Sequence, residues 1–365
     1  MKKILFILLS LSVFACKKVD DTYEIPTTYN FDNIDISGQL LRVDMLSELA
    51  VYMKNTTAIG SRTLEVTRLK NMFMNVDMPF SDQTLNDTDK QLKNKTVSTE
   101  QALIESWMDT VAVVSQSNTI TASNGQAGVA VTMDSSSRYL VTANGVELPQ
   151  MIEKVLMGAC FYYQATAVYL GLGKMASDNI LVVEGVGTNM EHHWDEAFGY
   201  FSAPVDFPTN TTGLRYWAKY SNTVDPILGS NKTIMDAFLA GRAAISNKDY
   251  QVRDEQIAII RKEWERVIAA VSIHYLNKAK DALQGGDVAV KLHAISEAYA
   301  FLLSIEFGGA PSISTSELEA ILSGLAGSSD PLRANFYTIT QSNIDNAIQE
   351  IVGFFPSLAA IKDSL

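Results

Sequence analysis

Residues Thr188–Phe201 read TNMEHHWDEAFGYF, and about a hundred residues later His293–Phe301 repeat the same spacing as HAISEAYAF. Both follow the pattern His-x-x-x-Glu-Ala-aromatic-small-aromatic. On a helix, positions i and i+4 share a face, so His192 falls over Glu196 and His293 over Glu297. His193 also reaches Glu196 at i+3, and His192 reaches Asp195. Thr188 followed three residues later by Glu191 is a capping box that starts the first of these helices. Asp287 after Gly285-Gly286 caps the second.

The preceding helices align as well. Glu153-Lys154-Val155-Leu156 matches Glu265-Arg266-Val267-Ile268, and Tyr162-Tyr163 matches His274-Tyr275. This is a divergent duplication with a period of about 100 to 110 residues. A helix pair or triplet of this kind cannot bury its apolar stripe alone. The expected fold is therefore all-α: two helical bundles around a pseudo-two-fold axis.

The first bundle is expected over 36–215. Leu41, Met45, Leu49 and Tyr52 form one apolar stripe, and a second helix covers Ser61–Met74. Asp77–Lys95, broken by Pro79, reads as loop. Ser98 with Gln101 three residues on reads as another capping box. Residues 123–148 change character: glycines punctuate β-branched runs around Asp134-Ser135-Ser136-Ser137, which predicts a small inserted β-hairpin. Pro149 then opens Gln150–Leu170, an apolar central helix. Asn210–Asn222 reads as the link to the second bundle, 216–365. That bundle holds a helix from near Asn231, a long helix over Val252–Leu283, the second histidine–glutamate helix, and short helices at Ser316–Leu325 and Asn343–Phe354.

Residues 1–15 read as a signal peptide: Lys2 and Lys3 precede an apolar run, Ile4–Phe14, too short to span a bilayer. Val13-Phe14-Ala15-Cys16 resembles a lipobox, which implies cleavage before Cys16 and lipidation of that cysteine. Lys17–Asp21 is similar to the export tags of surface-exposed lipoproteins of some Gram-negative bacteria. Residues 16–35 then form a tether to the outer membrane. Removing the signal takes the formal charge from −12 to −14. So acidic a chain excludes nucleic acid as a partner and leaves acyl chains, not basic residues, to hold the membrane. Cys160 sits in an apolar helical run and reads as core, and with Cys16 lipidated no disulfide framework is available.

The chemistry concentrates on the two histidine–glutamate helices. If they converge, His192, Glu196, His293 and Glu297 suit zinc or iron. The same residues also suit a buried hydrogen-bonded network, with each glutamate fixing a histidine tautomer, and that reading is preferred to a metal. His193, Arg242 and His274 are the further ligand-binding candidates; Arg242 reads as a buried counter-ion for one of the carboxylates, as an anion-binding group, or as a helix-surface arginine. Trp194, Phe198, Tyr200 and Phe201 read as filling between bundles. No catalytic residue is assigned. Neither His-Glu-x-x-His nor Gly-x-Ser-x-Gly occurs, and Gly185-x-Gly187 lacks the context of a nucleotide loop.

The stretch His192–Phe201, the lipobox and the segment Tyr23–Phe31 together resemble an uncharacterised lipoprotein family catalogued as a domain of unknown function. That resemblance implies that Tyr23–Phe31 docks on the body in extended form. More distantly the chain is similar to imelysin-like proteins, double helical bundles of the bacterial envelope with a Gly-x-His-x-x-Glu motif and, for some, a link to iron. His193-x-x-Glu196 meets the last four positions of that motif, while Glu191 stands where the motif has glycine. The leading expectation is a non-enzymatic, lipid-anchored envelope protein binding a metal ion or small ligand between its bundles. The alternatives are an imelysin-like metallopeptidase using His193 and Glu196, or a surface scaffold or adhesin with a purely structural network and an envelope protein as partner.

Overall fold

The computed structural model describes residues 23–57 and 61–365. The expected signal peptide and Cys16 lie outside the described residues. The fold is helical with one two-stranded hairpin.

Helix α1 (Ser37–Lys54) buries Val43, Leu46, Leu49 and Met53, which extends the stripe read from the sequence. Helices α2 (Val66–Met74), α3 (Gln83–Asn86) and α4 (Ser98–Ser115) follow. The expected cap at Ser98 does not form: Val97 is the N-cap, with no side-chain bond. Gln101 instead turns back to donate to the carbonyls of Lys93 and Thr96. Loop carbonyls left open by the short turn before α4 compete successfully for that amide.

Strands β1 (Gly128–Val131) and β2 (Arg138–Val141) pair antiparallel in the expected hairpin. Asp134 Oδ1 accepts from Thr132 Oγ1 and from the backbone and hydroxyl of Ser136, which fixes the turn. Pro149 opens helix α5 (Leu148–Leu156) as expected. Beyond it the chain widens into a π-helix, Met157–Tyr169. Carbonyls of this segment accept from outside the helix: Met157 from Trp217 Nε1 at 2.8 Å, Ala159 from Val97 N at 2.8 Å and Thr166 from Arg261 Nε at 2.9 Å.

Short α6 (Leu172–Met175) leads to α7 (Asn189–Phe201), the first histidine–glutamate helix, capped by Thr188 and Glu191 reciprocally. The expected link Asn210–Asn222 is only half loop, because α8 (Tyr216–Leu228) begins inside it and buries Tyr216, Trp217 and Tyr220. Helix α9 (Ser230–Ser246) precedes α10 (Tyr250–Gly285), a 36-residue helix about 54 Å long. Asp249 caps α10 and Gly286, at φ 78°, ends it. Helix α11 (Val288–Ser304) is the second histidine–glutamate helix, capped by Asp287. Helices α12 (Thr315–Ala326) and α13 (Gln341–Phe354) close the fold.

Helix α10 packs against α8, α9, α11 and α13, and α11 lies between α10 and α5. Gly158 permits part of this approach: a Cβ there would fall 2.3 Å from Ser304 Oγ. One cluster of buried apolar side chains runs from α1 through α5, α7 and α10 to α13 and so crosses the expected boundary at 215/216. Among the described residues Val288–Phe307 is long and apolar enough to cross a membrane, but most of it is buried in this core. Cys160 is buried as expected, and burial pushes its thiol up to about 12.

Candidate functional site

The two histidine–glutamate helices build two different polar clusters. On α7, Asp195 is fully buried, and its Oδ1 accepts from Tyr29 Oη at 2.7 Å and from Arg242 Nε at 2.9 Å. Arg242 Nη1 donates to Glu191 Oε1 at 2.6 Å and to Ser246 Oγ. Arg242 thus takes the counter-ion position expected of it, between two carboxylates of one helix. Gly241 makes room: a Cβ there would lie 2.1 Å from Trp194. Burial pushes Asp195 up to about 6 against the lowering effect of Arg242.

Tyr29 ties the N-terminal segment into this cluster. Its ring stacks on Phe198 at 3.8 Å, and its amide donates to the Val205 carbonyl at 2.8 Å. Phe31 lies under the Arg242 guanidinium. The segment is docked without regular secondary structure.

The other face of α7 holds the histidines. Glu196 Oε2 meets His193 Nδ1 at 3.1 Å and His192 Nε2 at 3.8 Å, while Oε1 accepts from Gln39 Nε2 at 2.9 Å. Burial alone would raise Glu196; the bond to His193, the charge of His192 and a bond from the Tyr169 hydroxyl outweigh it and hold the carboxyl low. The Nδ1 atom of His192 is buried without a partner.

On α11 the expected pairing is rearranged. His293 Nδ1 meets Glu147 Oε2 at 2.7 Å, not Glu297, and its ring stacks on Tyr139 of the hairpin at 4.3 Å. Glu297 Oε1 accepts from Gln150 Nε2 at 2.6 Å and lies 3.5 Å from Lys154 Nζ. Lys154 reaches Glu153 at 3.1 Å and Gln150 Oε1 at 3.3 Å, and Lys54 pairs with Glu153 from α1. Lys154 and Lys54 together hold Glu153 down to about 2, against its burial. Glu297 is 3% exposed; its Oε2 has no partner within hydrogen-bond distance, and the Tyr275 hydroxyl neighbours the carboxylate.

That oxygen belongs to a side chain lining a cavity of about 480 Å³ between α1, α5, α8, α10 and α11. Its lining includes buried Gln150, Glu153, Lys154, Tyr220 and Glu297, half-buried Tyr275, His293, Lys54 and Arg215, and exposed Lys219. A smaller pocket of about 220 Å³ shares Lys54, Gln150 and His293 with it. The volume falls in the range of small-molecule sites.

Of the candidates from sequence, His293 and Glu297 line this cavity. His192, His193 and Glu196 stand in the α7 cluster, and Arg242 of α9 pairs with Glu191 and Asp195 on a neighbouring side of that helix. His274 is half-buried beside Tyr275 and does not line the cavity; burial, then Lys278, lowers it. Among the described residues no three His, Cys, Asp or Glu side chains are grouped to hold a metal ion. Sequence reasoning missed Glu147, Gln150 and Lys154 as site residues. Their signal was present: polar groups interrupting a helix apolar all round must find buried partners.

The family described as Domain of unknown function (DUF4856) matches residues 26–355. The chain belongs to that family. The DUF4856 match begins before Tyr29 and contains both clusters and the whole cavity lining. No curated protein and no solved structure matches the chain.

Proposed function

We propose that this DUF4856 protein is a lipid-anchored envelope protein of imelysin-like type that binds a small ligand in the cavity between the two halves of its sequence, without catalysing a reaction. The observation that carries the reading is Glu297 Oε2, a buried carboxylate oxygen without a partner on a side chain that lines a cavity of about 480 Å³. A buried acceptor left unmade costs about 1–3 kcal/mol, and more when charged, so a ligand donor is its natural complement. The lining draws on both halves of the expected duplication, Ser47–Arg215 from one and Tyr216–Glu297 from the other. Support for the anchor is the Val13–Cys16 sequence. A small organic ligand is preferred to a metal ion because His192 with Glu196 and His293 with Glu297 keep separate partners.

Native mass spectrometry of the full chain in detergent, after incubation with small-molecule extract of the cell envelope, tests this. The expected result is one stoichiometric adduct that Glu297→Gln loses. No adduct, or an adduct unchanged by that substitution, would contradict it. Elemental analysis of the same sample reads the metal version directly.

A further inference from the structure

The charge pattern of the cavity goes further and, resting on the ligand-site reading above, names a ligand class. The chain as a whole is strongly acidic, with a formal charge of −12. The cavity reverses that sign: Lys54, Lys154, Arg215 and Lys219 line it against only Glu153 and Glu297. Glu153 and Glu297 pair with Lys54 and Lys154, Asp44 pairs with Arg215 and Glu147 with His293 from outside the lining, and Lys219 is left as the lining cation without a carboxylate partner among the described residues. An unpaired cation at the mouth of a recess in an acidic surface is a local attractor for an anion.

The charges are also ordered by depth. Inside, Lys154 is held among Glu153, Glu297 and Gln150, so its donors are already used. What the interior leaves open is an acceptor, Glu297 Oε2. His293 engages Glu147 through Nδ1 at 2.7 Å, which leaves Nε2 as the ring nitrogen free to meet a ligand. Toward the mouth the open group is a donor. Lys219 is exposed and, among the described residues, forms no ion pair; its ammonium lies over the Tyr220 ring at 5.8 Å. A ligand that satisfies both ends carries an anionic group outward and hydroxyl or ammonium donors inward.

We infer that the cavity binds a small organic anion bearing hydroxyl or ammonium donors, the chemistry shared by sugar acids, hydroxy acids and amino acids, with its anionic group on Lys219 and a donor on Glu297 Oε2. Acetate alone offers no inward donor, and a neutral sugar or a diamine offers no anion.

Titration calorimetry of the full chain in detergent tests the class with gluconate, glutamate, glucose, putrescine and acetate as probes. The expected result is that gluconate or glutamate binds at least about tenfold more tightly than glucose, putrescine or acetate, a difference of about 1.4 kcal/mol. Their affinity falls with added salt. Lys219→Met, an exposed substitution that leaves the fold alone, weakens the anion about tenfold and brings it toward glucose. Gluconate separates from glutamate by which donor Glu297 prefers. Equal affinity for gluconate and glucose, tighter binding of putrescine, or no effect of Lys219→Met overturns the anion while leaving the cavity a ligand site. Absence of binding by every probe overturns it too, and the cavity reading then stands or falls by the envelope-extract experiment alone.

Discussion

Lys154 Nζ lies 3.5 Å from Glu297 Oε1, a buried contact that joins α5 to the second histidine–glutamate helix and forms the cavity's inner wall. Lys154 faces two carboxylates, Glu153 and Glu297, and its pKa is raised because they outweigh its burial. Removing the cation leaves both carboxylates in the interior. Lys154→Met is expected to destabilise the protein by about 3–5 kcal/mol, read as a lower urea midpoint at unchanged slope. A loss below about 1 kcal/mol would show that the carboxylates are stabilised by other means.

The docked N-terminal segment is expected to be part of the folded body. Tyr29→Phe keeps the stacking on Phe198 and removes the bond to Asp195, at a cost of about 1.5–3 kcal/mol for a hydrogen bond to a charged group. Tyr29→Ala removes both and costs about 3–5 kcal/mol. Thermal unfolding of the two variants checks the order. Wild-type stability in Tyr29→Ala would mean that the segment is not docked in solution.

Asp195 gives a pH signature of defined sign. Its folded value, raised by burial to about 6, lies above the ordinary value of 3.8. Between these values the folded state binds the proton more tightly than the unfolded state. Asp195 therefore subtracts stability progressively as pH rises from about 4 to 6, and the deficit is complete above 6. Subtracting the Asp195→Asn stability profile from wild type should give a falling line across that window and a flat one above it. A rising line would reverse the assignment.

Gly241 is expected to tolerate no side chain. A Cβ at 2.1 Å from two atoms of the buried Trp194 indole must displace a rigid ring whose Nε1 is bonded to the Phe238 carbonyl at 3.0 Å. Gly241→Ala should cost about 1–3 kcal/mol, measured by denaturant unfolding, with a change in tryptophan fluorescence. An unchanged midpoint would place the indole elsewhere.

Much of this was legible in the sequence where one local rule decides. The Thr188–Glu191 box, Pro149, Asp287 and the glycine after α10 mark real ends because caps depend on neighbours in the chain. Ser98 misled because loop carbonyls claimed Gln101. The π-helix was hidden because an all-apolar run carries no period, and its outside donors, Trp217, Val97 and Arg261, come from distant segments. The site divided the same way. Spacing within one helix placed His193 and His192 on Glu196. It could not show that His293 turns to Glu147, 146 positions away, or that Glu297 turns to Gln150.

The central claim, that the cavity between α5, α8, α10 and α11 is the ligand site, is tested most directly by a crystal structure of the full chain with its tightest-binding probe. The account predicts density for one molecule in that cavity, with a donor atom within hydrogen-bond distance of Glu297 Oε2 and an anionic group toward Lys219. A ligand seated on His192, His193 and Glu196, or an empty cavity at saturating probe, would contradict it.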